Sequence, residues 1–211
     1  MSSKPLEASP RLVAIVGGSG SGKTWLAEQL KKALAPHALR LSLDDFYRDR
    51  SHLSVPRRAR INFDQPGAID WVKMEKAVRA LAQGHTALIP AYDFKTHSRG
   101  KMVRVLRPKP IILIDGLWLL RRRSLRRLFH VKIYVDCPTR LRLQRRLQRD
   151  LHSRGRTPAS VRAQFWGMVE PMHRIYVAPQ ARWADVVVPG DSGREQIRAL
   201  VRRLFRGVCP N

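Results

Sequence analysis

Gly17, Gly22, Lys23 and Thr24 stand in the stretch VGGSGSGKTW (Val16–Trp25) at the spacing G-x-x-x-x-G-K-[ST]. That spacing serves phosphate chemistry. A backbone free to curl over Gly17, Gly18, Ser19, Gly20, Ser21 and Gly22 can turn successive N–H groups onto phosphate oxygens. The Lys23 ammonium then reaches the outer phosphates, and the Thr24 hydroxyl is suited to Mg²⁺. Two carboxylates complete the set. Asp44 ends the apolar run LRLSL (Leu39–Leu43), and Asp115 ends IILI within Pro110–Leu120. Ligands of open parallel sheets sit beyond the carboxyl ends of the strands, so both face the same crevice as the glycine loop. Asp44 is the candidate base for an attacking hydroxyl, and Asp115 would hold Mg²⁺ directly or through water. A turn or N-cap role is the alternative for Asp44, and one that Asp45 also fits.

The elements that must position these groups alternate between strand and helix. The run LVAIV before the loop reads as a buried parallel strand, and Leu26, Leu30, Ala33 and Leu34 repeat at helical spacing until Pro36. A merely flexible Gly/Ser turn would explain the glycines, but not the strand before them and the helix after. A polar connection, Arg48 to Gln65, leads to a helix over Trp71–Gln83 with Trp71, Met74, Val78 and Leu81 on one core-facing side. The runs 86–94 and 102–106 predict a hairpin flap joined by KTHSRGK, where Tyr92, Phe94 and His97 could grip a planar ring rather than simply lie on the surface. Further strands are expected at Val131–Val135 and at Asp185–Val188, and a terminal helix at Gln196–Phe205. In the helix from Thr139 to about Ser153 the spacing puts Leu143, Leu147 and Leu151 on the core face. Arg142, Arg145 and Arg149 then lie opposite, with Arg146 on the shoulder, and Arg142 and Arg145 read as a solvated face. The helix runs into RGR (154–156). This reads as an arginine lid over about 150–165, and a further helix over Val161–Met168 carries Gln164.

Composition sets the outer limits. A chain of 211 residues fits one α/β domain. Its two cysteines, Cys137 and Cys209, do not make a disulfide framework, and a nucleotide site fits a reducing cytoplasm. The opening MSSKPLEASP lacks the apolar run of a signal peptide, and the longest apolar stretch is interrupted by Asp115, so no membrane partner is expected. The net charge of +25 raises the question of nucleic acid, but the 31 arginines are scattered without a basic tail, and a nucleic-acid partner is not expected.

In order along the chain, GGSGSGKT, LDDFYR, NFDQPGAID, PAYDFKTHSR, IILIDGLWLL, RRLQRDLHSRGR and ADVVVP resemble the uridine kinase (uridine-cytidine kinase) family, P-loop kinases related to phosphoribulokinase. The resemblance implies a P-loop NTPase fold with a five-stranded parallel sheet of the nucleoside-monophosphate-kinase type, in a homo-oligomer. It implies transfer of the γ-phosphate of ATP, or GTP in its place, with Mg²⁺, to the 5′-hydroxyl of a pyrimidine nucleoside. By the same resemblance Asp44 is the catalytic aspartate, with Thr24 and Asp115 beside it at the metal. Asp64 accepts the ribose hydroxyls, and Tyr92, Phe94 and His97 hold the pyrimidine. Arg146, Arg156 and Gln164 make other substrate contacts, while Arg149 and Arg154 lie near the phosphates. The sequence departs from the family in three places: it has Asp115 where glutamate is usual, PGDSG after Val188 where an arginine-glycine pair is usual, and Phe165 where tyrosine is common. Two other readings stay open, a kinase of another small alcohol such as a sugar phosphate, and a nucleotide-gated RNA-binding module.

Overall fold

The structure is a computed structural model that describes residues 9–54, 57–58, 61–93, 96 and 98–205, without the side chains of Lys101, Ser153 and Arg154. Its centre is β1 (Arg11–Gly17), paired on both edges by parallel strands and with its apolar residues buried on both faces, one against each of two core clusters. The other strands of this sheet are β2 (Ala38–Ser42), β5 (Ile111–Gly116), β6 (Val131–Asp136) and β7 (Val186–Pro189). They run parallel in the order β2-β5-β1-β6-β7. The expected five-stranded parallel sheet is present, with β1 flanked by β5 and β6 at the point where the strand order diverges.

Alternation along β1 divides the core. Leu12, Ala14 and Val16 face a cluster containing Met74, Val78 and Trp118, while Val13 and Ile15 face one containing Leu26, Leu30, Ile197 and Leu200. The second cluster is covered by α1 (Lys23–Ala33) and by the last helix of the chain, Arg194–Leu204. The first is covered by α2 (Trp71–Ala82), which begins at Asp70, whose side chain accepts from the Lys73 N–H. The buried residues Trp71, Met74, Val78 and Leu81 are the stripe that the sequence periodicity predicts.

Between α2 and β5 lies an antiparallel pair, β3 (Ala87–Asp93) and β4 (Ser98–Leu106). The second strand starts at Ser98 rather than Met102. A register shift between Pro90 and Tyr92 lets Tyr92 pair with Arg99 and Asp93 with Ser98, so pairing extends past the bulge.

The helix α3 (Thr139–Arg154) differs most from its sequence pattern. It stops at Gly155, which takes the left-handed φ of 61°. Its buried face is Arg142, Arg146 and Asp150 at i, i+4 and i+8, whereas Leu143 and Leu147 are half-buried and Leu151 is exposed. The solvated face expected for Arg142 and Arg145 is therefore wrong. Arg142 is 1% exposed, with Nη2 donating to Glu170 Oε2 at 2.6 Å and Nε to the Cys137 carbonyl. Arg145 donates to the carbonyls of Ser21 and Gly190. The reason is what α3 packs on: the glycine loop and the following helical segment present carbonyls and a carboxylate, so arginine is the satisfied residue there and leucine is not.

That following segment begins as α4 (Pro158–Gln164), started by Thr157 with Pro158 at its first position. It continues through π-helical turns at Phe165–Val169 and His173–Val177, separated by Glu170–Met172, and closes in the 3₁₀ turn Ala178–Trp183.

Candidate active site

The glycine loop joins β1 to α1 at the carboxyl end of the sheet. Gly22 caps α1 with φ 96°, and no side chain caps that helix, so its first-turn N–H groups remain open to an anion. Ser21 N–H donates to the Gly18 carbonyl and tightens the turn. Gly20 must be glycine on two counts, a φ of 80° and a Cβ that would stand 2.5 Å from the Arg142 carbonyl. Lys23 is buried at the loop's end.

Asp115 emerges from β5 beside this loop and is 1% exposed. Its Oδ2 accepts from Thr24 Oγ1 at 2.9 Å, and its Oδ1 accepts from Arg40 Nε at 2.7 Å. Arg40 also donates to Glu28 at 3.1 Å, so Glu28, Arg40, Asp115 and Thr24 form one chain of polar contacts across α1, β2 and β5. Asp44 follows β2 on the 3₁₀ turn Leu43–Phe46, where its N–H donates to Ser42 Oγ. Burial raises its carboxyl above the usual carboxylate range and nearby Asp115 pushes the same way, while Lys23, Arg149 and Arg40 pull it down without prevailing. Asp45, the turn-type neighbour, pairs with Arg104 of β4 at 2.8 Å.

The carboxylates of Asp44 and Asp115, near enough for Asp115 to act on Asp44, together with the Thr24 hydroxyl make an all-oxygen donor set that fits Mg²⁺. No group of three or more His, Cys, Asp or Glu side chains with metal-site geometry occurs among the described residues.

Arg146 connects the loop to the acceptor side. It donates to Ser19 Oγ at 2.8 Å and to Gln164 Oε1 at 2.8 Å, and lies 3.9 Å from Asp64 and 3.7 Å from Asp150. Arg156 also donates to Gln164 Oε1. One amide thus brings together Arg146 and Arg156, two of the arginines singled out from sequence. Arg149 bonds Asp150 at 2.8 Å and remains partly exposed. Tyr92 is half-buried, its ring 5.2 Å from that of Tyr47, which in turn lies edge-on to Phe63 at 5.8 Å. Burial pushes the Tyr92 phenol up to about 12, so it stays protonated. Phe94 and His97 lie outside the described residues, as does the Arg154 side chain.

The residues missing from the sequence reading are Arg40, Tyr47 and His173. Arg40 had a signal, a lone arginine inside the apolar strand LRLSL. Tyr47 stands in the LDDFYR motif. His173 had none, because nothing in its neighbours marks where the segment Pro158–Trp183 meets the glycine loop.

A phosphate loop at the centre of a parallel sheet, with carboxylates at two strand ends and arginines arching over it, defines a P-loop phosphotransferase. Residues 12–195 match the phosphoribulokinase / uridine kinase family. The chain is 36% identical over 199 residues to a uridine kinase of Staphylococcus haemolyticus, covering 93% of this chain and 96% of that one. It is 38% identical over 193 residues to a uridine kinase of Chloroflexus aggregans, covering 91% and 92%. Its fold is similar to that of a putative fructose transport system kinase from Silicibacter, with a TM-score of 0.71 at 22% identity over 88% of this chain and 93% of that one. The chain belongs to the phosphoribulokinase / uridine kinase family. No helix among the described residues is long and apolar enough to cross a membrane.

Proposed function

We propose that the protein is a uridine kinase that transfers the γ-phosphate of ATP, with GTP as the alternative donor, to the 5′-hydroxyl of uridine or cytidine in the cytoplasm. The relatives named uridine kinase, aligned over nearly the whole chain, support the reaction. The observation that carries the site is the convergence of Lys23, Asp115, Arg149 and Arg40 on the field felt by Asp44.

Phosphoryl transfer asks little covalent chemistry of a protein and much positioning. Here the N–H groups from Gly17 to Thr24 hold the triphosphate, and Lys23, Arg149 and Arg154 neutralise its outer oxygens. Thr24, Asp44 and Asp115 would hold Mg²⁺, which would supply positive charge to the phosphate oxygens. Asp44 accepts the proton of the 5′-hydroxyl as it attacks. Its raised affinity for a proton, caused by burial, suits a base of this kind. Asp64 accepts ribose hydroxyls, Arg146, Arg156 and Gln164 close around the acceptor, and Tyr92 with Phe94 and His97 holds the pyrimidine. Residues 86–106 act as the acceptor flap and about 150–165 as the lid of a single domain, in a homo-oligomer. The aromatic group Tyr47, Phe63 and Tyr92 suits a planar base better than a second phosphate.

The test is product identity. After incubation with Mg-ATP and uridine, mass spectrometry is expected to find one added phosphoryl group on the 5′-oxygen, and to find about 10²-fold less with Asp44→Asn. ATP hydrolysis without phosphorylated nucleoside would overturn the reading.

A further inference from the structure

His173 begins the second π-helical turn, His173–Val177, and its ring lies directly against the phosphate loop. A Cβ on Gly18 would stand 2.7 Å from the His173 Nδ1, an approach that only glycine permits. This Nδ1 is buried and has no hydrogen-bond partner among the described residues. A buried polar atom without a partner is costly, and it persists where something outside the chain satisfies it.

The imidazole also lines a cavity of about 10 Å³, room for a single water-sized group. The polar wall of this cavity is Ser19, Asp64 and His173, and the remainder is apolar, including Leu117, Trp118 and Val169. Arg146 fixes the polar wall by donating to Ser19 Oγ at 2.8 Å and by lying 3.9 Å from Asp64. A phosphate is too large for this space, and a methyl group would strand the polar wall. A hydroxyl fits, because it can donate its one proton to the Asp64 carboxylate and accept from the Nδ1–H of a neutral imidazole. The ring is neutral: burial, and after it Arg142, lower its pKa to about 4, against the opposing pull of Glu170 and Asp136.

We propose that Ser19, Asp64 and His173 form a one-hydroxyl subsite, and that His173 is a specificity-determining residue for a secondary hydroxyl of the acceptor's sugar. The proposal rests on the nucleoside reading given above. It gives the π-helical segment a place in acceptor choice, and the space for the ring exists because residue 18 has no side chain.

The experiment compares His173→Phe, which keeps an apolar ring of similar size, with His173→Asn, whose amide can reach the position of Nδ1. Each is assayed with uridine, 2′-deoxyuridine and 3′-deoxyuridine at saturating Mg-ATP, and with ATP varied. His173→Phe is expected to raise KM for uridine about 5- to 15-fold, the loss of one neutral hydrogen bond, with KM for ATP unchanged. His173→Asn should recover most of this. For one of the two deoxy substrates the penalty of His173→Phe should vanish, since the hydroxyl it serves is already absent. An equal penalty on all three nucleosides, or a matching rise in KM for ATP, would mean that the ring only buttresses Gly18 or a permanent water, and would overturn the subsite. Wild-type protein that turns over none of the nucleosides would overturn the nucleoside reading and the subsite with it.

Discussion

Arg40 donates from Nε to Asp115 Oδ1 at 2.7 Å across the adjacent strands β2 and β5, in the register that sets Ser42 beside Asp115. The guanidinium occupies one oxygen of the carboxylate and leaves the other to Thr24. An aspartate that is one methylene shorter than the family's usual glutamate is thereby held against the loop from behind. Removing only the arginine leaves a buried carboxylate with one neutral partner.

Arg40→Met is expected to destabilise the protein by about 1–3 kcal/mol, less than the roughly 3–5 kcal/mol for breaking a fully buried pair, since Arg40 is one-fifth exposed. Arg40→Met with Asp115→Asn should cost less than the sum of the two single changes. Urea denaturation of the four proteins checks this, and strict additivity would mean that the two side chains are not coupled.

Asp44→Asn should separate activity from stability. The folded pKa of Asp44 is raised by burial, so its ionised form opposes folding: the associated stability is present at low pH and is lost as pH rises through the folded pKa. At neutral pH the variant should melt higher than wild type while turning over at least about 10²-fold more slowly. A lower melting temperature would contradict the electrostatic picture of the site, and unchanged turnover would remove Asp44 from the role of base.

His173 carries the opposite sign. Its folded pKa is depressed to about 4, so the unfolded chain binds the extra proton, and stability present above the usual histidine value is lost as pH falls from about 6.5 towards 4. The groups facing it are Arg142, Glu170, Arg174 and Asp136. His173→Phe should flatten the fall in melting temperature over that window, and a variant as acid-sensitive as wild type would place the effect elsewhere.

Two glycines should respond in opposite ways. Gly20→Ala forces a Cβ to 2.5 Å from the Arg142 carbonyl at a φ of 80°, and should abolish nucleotide binding or folding. Gly67, in the NFDQPGAID motif, has open space at its Cβ, so Gly67→Ala should lie within about 0.5 kcal/mol of wild type. Nucleotide titration followed by thermal melting distinguishes them.

The sheet and the glycine loop were legible in sequence because β1 and β5 are built on unbroken apolar runs, LVAIV and IILI, and the loop spacing is rigid. The buried face of α3 was not. A leucine repeat at i+4 reads as core only if the surface it meets is apolar, and here α3 meets carbonyls of the phosphate loop and the Glu170 carboxylate. Arg142, Arg146 and Asp150 are consequently buried, and their pairing partners come from residues up to 127 positions away. Periodicity carries no information about such partners. The places of Asp44, just past β2, and Asp115, in β5, follow from apolar runs in the sequence, whereas the place of His173 depends on how a π-helical segment packs over Gly18.

Acceptor choice distinguishes a nucleoside kinase from a kinase of another alcohol most directly. ADP release with Mg-ATP should be measured against uridine, cytidine, 2′-deoxyuridine, adenosine and ribulose 5-phosphate. Turnover confined to the pyrimidine ribonucleosides, with 2′-deoxyuridine poor because a buried acceptor is left unmatched, is the predicted result. Turnover of ribulose 5-phosphate in preference to uridine, or of none of the five while ATP still binds, would contradict it.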